Sequence, residues 1–85
     1  KALRAALSHE DGAVRTAAAE ALGDLGADEA GPALAKAASD PDWRVRLKAC
    51  EGIGERGLHR HRKALEPLLS DPVWWVRLRA EEALA

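Results

Sequence analysis

Apolar residues recur along the chain with the spacing of one helix face. Starting from Val14, they fall at i, i+4, i+7, i+8 and i+11 within residues 12–25, which is the periodicity of an α-helix packed on one side. The spacing begins again at Val45 and at Val76. Between these longer helices the pattern predicts shorter ones, near residues 28–38 and 59–69, which makes about five helices in all.

Glycines and prolines mark the expected helix boundaries. Gly26 and Gly57 favour helix ends, whereas Pro41 and Pro72 favour the start of the longer helix that follows each of them. Pro67 instead lies within the second shorter helix, where it removes one backbone donor. We therefore expect that helix to be kinked or shortened.

Residue types return every 31 positions, which indicates a tandem repeat. Serines, valines and arginines keep this interval without any insertion. They are Ser8, Ser39 and Ser70; Val14, Val45 and Val76; and Arg15, Arg46 and Arg77. The period divides one repeat segment, 1–85, into a partial unit 1–7, full units 8–38 and 39–69, and a partial unit 70–85.

Composition agrees with a helical chain and excludes several classes of protein. Of 85 residues, 19 are Ala and 12 are Leu, and both types enter helices at little cost. The single Cys50 excludes a disulfide framework, and no apolar run approaches the roughly 20 residues of a membrane span. The net charge of −1 argues against a polyanion-binding role for the chain as a whole. One cysteine and no visible signal segment favour the cytoplasm.

The repeated motif resembles a known family. Asp-Pro-Asp-Trp-Arg-Val-Arg at 40–46, followed by Ala49, Gly52 and Ile53, is similar to the HEAT-like repeat of the phycobilisome-lyase type. Residues 70–80 carry a second copy and residues 8–22 a weaker one. The resemblance implies an all-α fold, a right-handed α-α superhelix (solenoid) of HEAT-like helix pairs.

The two ends carry leucines that have no obvious cover. They are Leu3 and Leu7 at one end, and Leu78 and Leu84 at the other. Solenoid units bury their apolar faces against neighbouring units, and the chain has no Met. We therefore expect a fragment of a longer array, whose ends contact further repeats of the same array or associate with each other.

The resemblance implies that an Arg–Asp ladder bridges adjacent units and is structural. Arginine suits this role because its planar fork holds two acceptors at once. The ladder residues are Arg15, Asp40, Arg46, Asp71 and Arg77. His9 replaces the aspartate in the first copy, which weakens the ladder there unless Glu10 or Asp11 takes its place. An anion-binding site is the less favoured alternative.

Besides their apolar face, the longer helices carry a second set of residues that share one face, and this face is the candidate partner-binding surface. The resemblance implies that such residues form one groove on the concave side, and aromatic residues near arginine are typical of interface hot spots. The candidates are Trp43, Leu47, Trp74, Trp75, Leu78 and Arg79. The alternative is that Trp43 and Trp74 only pack between units. Trp75 is the best single candidate, because Ala13 and Arg44 occupy its position in the other copies.

A basic run forms a candidate anion-binding site at the start of the second shorter helix. Cations at a helix amino terminus oppose the helix dipole, which suggests a role in binding phosphate, acidic peptide or nucleic acid. The run comprises His59, Arg60, His61, Arg62 and Lys63. The alternative is a solvated loop without a partner.

No arrangement of residues indicates catalysis, a metal site or a cofactor. The only His-Glu pair lies in a corner at 9–10, no phosphate loop or zinc spacing occurs, and Cys50 is expected to be a small buried residue. The sequence predicts a non-catalytic protein–protein interaction or scaffold module, with polyanion binding through 59–63 as the alternative. Two further alternatives, a HEAT-like DNA glycosylase and a bilin lyase subunit, have less support. Glu20, Glu51 and Glu82 interrupt any continuous basic surface.

Overall fold

The computed structural model describes residues 5–25, 30–55 and 59–85. Within these ranges the chain is helical and contains no strand. The helices are α1 (Gly12–Leu25), α2 (Ala30–Ala37), α3 (Trp43–Glu55), a 3₁₀ helix (His59–Ser70) and α4 (Trp74–Leu84). The prediction of an all-α chain with about five helices is confirmed. The expected helix ends at Gly26 and Gly57 lie outside the described residues.

The longer helices α1, α3 and α4 begin 31 residues apart, each after a corner that fixes its first turn. Asp11 and Asp42 are the N-caps of α1 and α3: their carbonyls accept the first helical hydrogen bonds, and their carboxylates accept bonds of 2.9 Å from the amides two residues on. Such caps satisfy amides that the helix itself leaves without an acceptor. Val73 occupies the same place before α4 without a side-chain cap bond.

The prolines of the corners lie further from the helices than the sequence indicated. Pro41 and Pro72 were expected at the start of the longer helices, but α3 begins at Trp43 and α4 at Trp74. Each proline therefore lies one residue before the N-cap. The carboxylate of the aspartate before each proline accepts a hydrogen bond from the amide of the cap residue two positions later.

The two shorter helices differ in type. α2 is a two-turn α-helix, whereas His59–Ser70 forms a 3₁₀ helix with Pro67 inside it. The sequence predicted a helix near 59–69 that Pro67 kinks or shortens. The structure has a helix over these residues, and its winding is of the 3₁₀ type. Pro67 has no backbone N–H, and its ring clashes with the carbonyl four residues earlier, which disfavours an α-helix in the turn before it. The segment has the tighter 3₁₀ winding instead.

The longer helices pack side by side, α1 on α3 and α3 on α4. The two shorter helices, α2 and the 3₁₀ helix, pack against the longer ones. The largest fully buried side chains include Leu34, Val45, Ile53, Leu65 and Val76. Val45 and Val76 belong to the apolar helix face that was predicted from the sequence. That face therefore forms the core.

Small residues let the longer helices approach closely. A Cβ on Gly23 would lie 3.1 Å from the Cα of Gly52, and one on Gly54 would lie 2.8 Å from the Cβ of Ala83. The two contacts are 31 residues apart, and in each a glycine faces a residue no larger than alanine. Among the described residues, no helix is long and apolar enough to cross a membrane.

Candidate protein-interaction surface

The Arg–Asp pairs join consecutive units through bidentate contacts. Arg15 donates from Nε to Asp40 Oδ2 at 2.9 Å and from Nη2 to Asp40 Oδ1 at 3.2 Å. Its third nitrogen, Nη1, donates to the carbonyls of His9 at 2.8 Å and Glu10 at 3.0 Å. One guanidinium therefore fastens its own corner and the corner of the next unit at the same time.

Arg46 and Asp71 repeat this geometry in a more buried setting. The distances are 2.7 Å from Nε to Oδ2 and 3.1 Å from Nη2 to Oδ1, and the Asp71 side chain is only 3% exposed. Burial by itself would raise the pKa of Asp71. The hydrogen bonds from Arg46 and from the Val73 amide, together with the charges of Arg46 and Arg77, instead hold that pKa below its ordinary value.

Arg77 and His9 complete the set of corner contacts. Arg77 Nη1 donates to the Asp71 carbonyl at 2.7 Å, as the other two arginines do in their own corners. His9 replaces the corner aspartate in the first unit, and its Nδ1 accepts the Asp11 amide at 3.0 Å. Asp40 and Asp71 accept the corresponding amides at 2.8 and 2.9 Å, so histidine supplies the same turn bond.

A second chain of ion pairs crosses the longer helices, and the sequence analysis did not predict it. Lys48 Nζ lies 2.9 Å from Glu20 and 3.3 Å from Glu51. Arg79 lies 3.3 Å from Glu51 and 3.2 Å from Glu82. The pairing raises the pKa of Lys48, chiefly through its hydrogen bond to Glu20. The sequence carried a partial signal, since the glutamates and the two cations each recur at an interval of 31 residues, but this recurrence does not say which helices are neighbours.

Two tryptophans at the start of α4 form the most exposed aromatic surface among the described residues. Trp74 is 56% exposed and Trp75 is 51% exposed, whereas Trp43 is 38% exposed. The Trp74 and Trp75 rings contact each other edge to face, with centroids 4.7 Å apart and planes at 73°. The sequence left open whether Trp74 only packs between units; among the three tryptophans it is the most exposed.

The remaining candidates of this surface are less exposed. Leu47 and Leu78 are half-buried, and Leu47 packs against the core. Arg79 was expected to contact a partner, but its guanidinium is held by Glu51 and Glu82. The structure thus places Trp74, Trp75 and Leu78 on one side of α4 and ties Arg79 into the ion-pair chain beside them.

The described members of the basic run do not form one exposed cluster. The His61 ring lies against Gly31, where a Cβ would come within 2.4 Å of it. Arg62 Nη2 donates to the Leu84 carbonyl, a contact that a helix carboxyl end favours, and Arg62 Nε is buried without a hydrogen-bond partner. Lys63 alone among these three is exposed. The side chains of His59 and Arg60 lie outside the described residues.

Cys50 is fully buried in the core. Desolvation, together with the nearby Asp71 and Glu51 charges, raises its pKa to about 12. The thiol therefore stays protonated at neutral pH, and the reactive thiolate is scarce. In the parts of the chain that the structure describes, no three His, Cys, Asp or Glu side chains are grouped so that they could hold a metal ion.

Paired helices, close contacts between successive longer helices and a buried periodic face define a helical, solenoid-like repeat protein. A family model described as HEAT repeats matches residues 1–85, and the chain belongs to that family. HEAT repeats generally mediate protein–protein interaction and are generally non-catalytic. No curated protein matches the chain.

Proposed function

We propose that the chain is a non-catalytic scaffold module that binds a protein partner through the surface of its longer helices. The observation that carries the proposal is the exposed, mutually packed pair Trp74 and Trp75 at the start of α4. We also propose, in line with the motif at 40–46, that the repeats are of the phycobilisome-lyase type, with a unit of 31 residues and boundaries at 8, 39 and 70.

The exposed aromatic area is large enough to support binding. A tryptophan side chain can bury about 200 Å², so two side chains that are half exposed leave about 200 Å² of mostly apolar area in water. At about 25 cal/mol per Å², covering that area contributes about 5 kcal/mol before the costs of association. A pair of this kind is suited to be the centre of a small interface.

The pair is also held by a rigid support. On the opposite side of α4, Val76 and Ala80 are completely buried, and Arg79 ties the same helix to Glu51 of α3 at 3.3 Å. A partner therefore meets side chains whose backbone is already ordered, and it loses less entropy on binding than a flexible loop would require.

The alternative, polyanion binding through 59–63, has weaker support. Among the described side chains of that run, His61 and Arg62 are half-buried and contact Gly31 and Leu84. An electrostatic footprint for nucleic acid needs clustered cations on one face, and only Lys63 among these three is exposed. We propose that the Arg–Asp pairs are structural for a related reason, since each guanidinium is already occupied by carboxylate and carbonyl oxygens.

The proposal is tested by affinity capture from an extract of the source cells, with quantitative mass spectrometry. The baits are the wild type, the double variant Trp74→Ala/Trp75→Ala, and Leu69→Ala. Leu69 is the matched control, because it is a large hydrophobic residue that is 43% exposed on the 3₁₀ helix rather than on α4. Circular dichroism of all three baits checks that the helices are intact.

We expect one protein to be captured in equal amounts by the wild type and by Leu69→Ala. The amount captured by the double tryptophan variant should be lower by at least about tenfold, which is the loss typical of a hot spot. Capture that is unaffected by the tryptophan substitutions would refute the proposal. Salt-sensitive recovery of nucleic acid by all three baits would favour the alternative instead.

A further inference from the structure

We infer that Arg77 is a binding site for an aspartate or glutamate side chain of another protein molecule. The two equivalent arginines already hold such a group: Nε and Nη2 of Arg15 donate to both carboxylate oxygens of Asp40. The same two atoms of Arg46 donate to Asp71. In the part of the chain that the structure describes, the Arg77 side chain makes one hydrogen bond, from Nη1 to the Asp71 carbonyl at 2.7 Å. Its Nε and Nη2 are therefore available to a carboxylate.

These two nitrogens are both oriented and accessible. In each unit the arginine Nη1 donates to a carbonyl of its own corner, at 2.8 Å in Arg15, 2.9 Å in Arg46 and 2.7 Å in Arg77. Because the guanidinium is planar and rigid, this shared contact orients the edge that carries Nε and Nη2. Among the described side chains, the unpartnered polar atom that is buried belongs to Arg62, so Nε and Nη2 of Arg77 are in contact with solvent. A carboxylate can reach them while Nη1 keeps its bond to the corner.

The charges around Arg77 favour an added anion. The Asp71 carboxylate lies close enough for the two charges to interact, but both of its oxygens already accept hydrogen bonds from Arg46. Glu81 is exposed one turn further along α4 and forms no ion pair with Arg77 within the described residues. A cation that precedes an acid by four residues is the weaker order for such a pair. Along the corners, three repeated arginines therefore face two aspartates, which leaves one positive charge in excess.

The geometry favours a carboxylate over a phosphate. Two parallel N–H groups match the two oxygens of a carboxylate, and the other two arginines make this contact at 2.7 to 3.2 Å. Phosphate recognition commonly uses a cluster of arginines, whereas the cations nearest in the repeat, Arg46 and Arg79, are bound to carboxylates of this chain. Trp74 lies one turn before Arg77 on α4, so the bound carboxylate would lie beside the exposed aromatic pair.

The test is an NMR titration of the ¹⁵N-labelled chain near pH 6.5, followed through the arginine Nε–H signals. The probe is N-acetylaspartate α-amide, and its matched control is N-acetylasparagine α-amide, which replaces the side-chain carboxylate by a neutral amide. Methyl phosphate is the third ligand, and sodium chloride keeps the ionic strength constant. Arg15 and Arg46 are internal controls, because their Nε atoms already donate to carboxylates.

Two variants separate the fork from the charge. Arg77→Lys keeps the charge but loses the planar fork, and its binding is read through the indole N–H of Trp74. Arg44→Lys is the matched control, because the Arg44 guanidinium is already paired with Asp42 at 2.8 Å. Circular dichroism checks that both variants are helical, and the wild-type titration is decisive even if Arg77→Lys does not fold.

We expect the aspartate probe to move the Arg77 Nε–H signal downfield with a dissociation constant of about 10–100 mM, as one charge-assisted contact allows. The Arg15 and Arg46 signals should stay in place. Affinity should fall at least about threefold in Arg77→Lys and remain unchanged in Arg44→Lys.

Three results would overturn the inference: an equal response to the asparagine control, equal shifts at all three arginines, or binding of methyl phosphate that is more than about tenfold tighter than that of the aspartate probe. The inference goes beyond the proposed function, because it rests on the hydrogen bonds of the repeated arginines and not on the exposed tryptophans. Its failure would therefore leave the proposed function standing, which the capture experiment decides separately.

Discussion

The Arg46–Asp71 pair should be the most costly polar contact to break. Arg46→Met removes the guanidinium but keeps an unbranched stem. The Asp71 carboxylate, 3% exposed, then keeps its hydrogen bond from the Val73 amide. Two charge-assisted hydrogen bonds disappear at once. Removing one partner of a buried ion pair costs about 3–5 kcal/mol, because the remaining charge stays desolvated.

The first Arg–Asp pair, Arg15 with Asp40, provides an internal comparison. Arg15 makes the same contacts with Asp40, but the Asp40 side chain is 11% exposed and water can replace part of the lost bonding. We expect Arg15→Met to cost about 1–3 kcal/mol. The difference between the losses of unfolding free energy in the two variants reports the effect of burial, since the substitution is the same and the geometry of the two Arg–Asp pairs is similar.

Urea denaturation followed by circular dichroism at 222 nm measures both costs. A domain of this length has a free energy of unfolding of roughly 4–13 kcal/mol. If the wild type lies near the upper end, the unfolding of Arg46→Met is still measurable; if it lies near the lower end, the variant is largely unfolded. Arg46→Lys, which keeps the charge but loses the fork, should lie between Arg46→Met and wild type. It also provides a folded variant for comparison.

The pH dependence gives an independent check. Because the pKa of Asp71 is lowered in the folded state, its ionised form stabilises the fold above the unfolded value of about 3.9, and this contribution is lost as the pH falls through the folded pKa. The cost of Arg46→Met should therefore shrink below about pH 4. A cost under about 1 kcal/mol at pH 7, or one no larger than that of Arg15→Met, would refute the reasoning.

Three further predictions concern helix contacts, caps and the thiol. Gly54→Ala should lower the melting temperature, because its methyl group would lie 2.8 Å from the Cβ of Ala83 and overpacking of about 1–3 kcal/mol exceeds the helix-propensity gain of about 1 kcal/mol. Adding Ala83→Gly should recover part of the loss, and strictly additive effects would contradict the close contact. Asp42→Ala should cost about 1 kcal/mol at pH 7. Since hydrogen bonds from Arg44 lower the pKa of Asp42 to about 2, this cost should fade as the pH drops from about 4 through 2, and a pH-independent cost would count against the cap. Cys50, which is fully buried, should react with iodoacetamide only through unfolding or local opening, so the logarithm of its labelling rate should rise linearly with urea concentration. Prompt labelling of the native chain would show that the core is not as described.

The local parts of the fold were readable from the sequence. The positions of α1, α3 and α4 follow from apolar spacing that began at Val14 and returned 31 residues later. Such periodicity is set by 3.6 residues per turn and does not depend on what packs nearby. The 3₁₀ form of His59–Ser70 was not predicted, because Pro67 indicates that an α-helix is disturbed without specifying the winding that replaces it.

The candidate site was only partly predictable. Trp75 was predicted as a candidate contact residue because its position is not aromatic in the other copies, and the structure leaves its side chain half exposed. The role of Arg79 could not be read in the same way. Its partner Glu51 is 28 residues away, and an ion pair at that separation depends on which helices are neighbours and on their relative heights.

Spacing within a single helix was enough to predict where the longer helices lie and which face of each is buried. Three features needed the folded structure: the contact of Arg62 with the end of α4, the exposure of Trp74, and the chain of ion pairs formed by Glu20, Lys48, Glu51, Arg79 and Glu82. Those outcomes depend on how closely α1, α3 and α4 approach one another. That approach is set by small residues in contact between neighbouring longer helices, and it cannot be inferred from the spacing of residues within one helix.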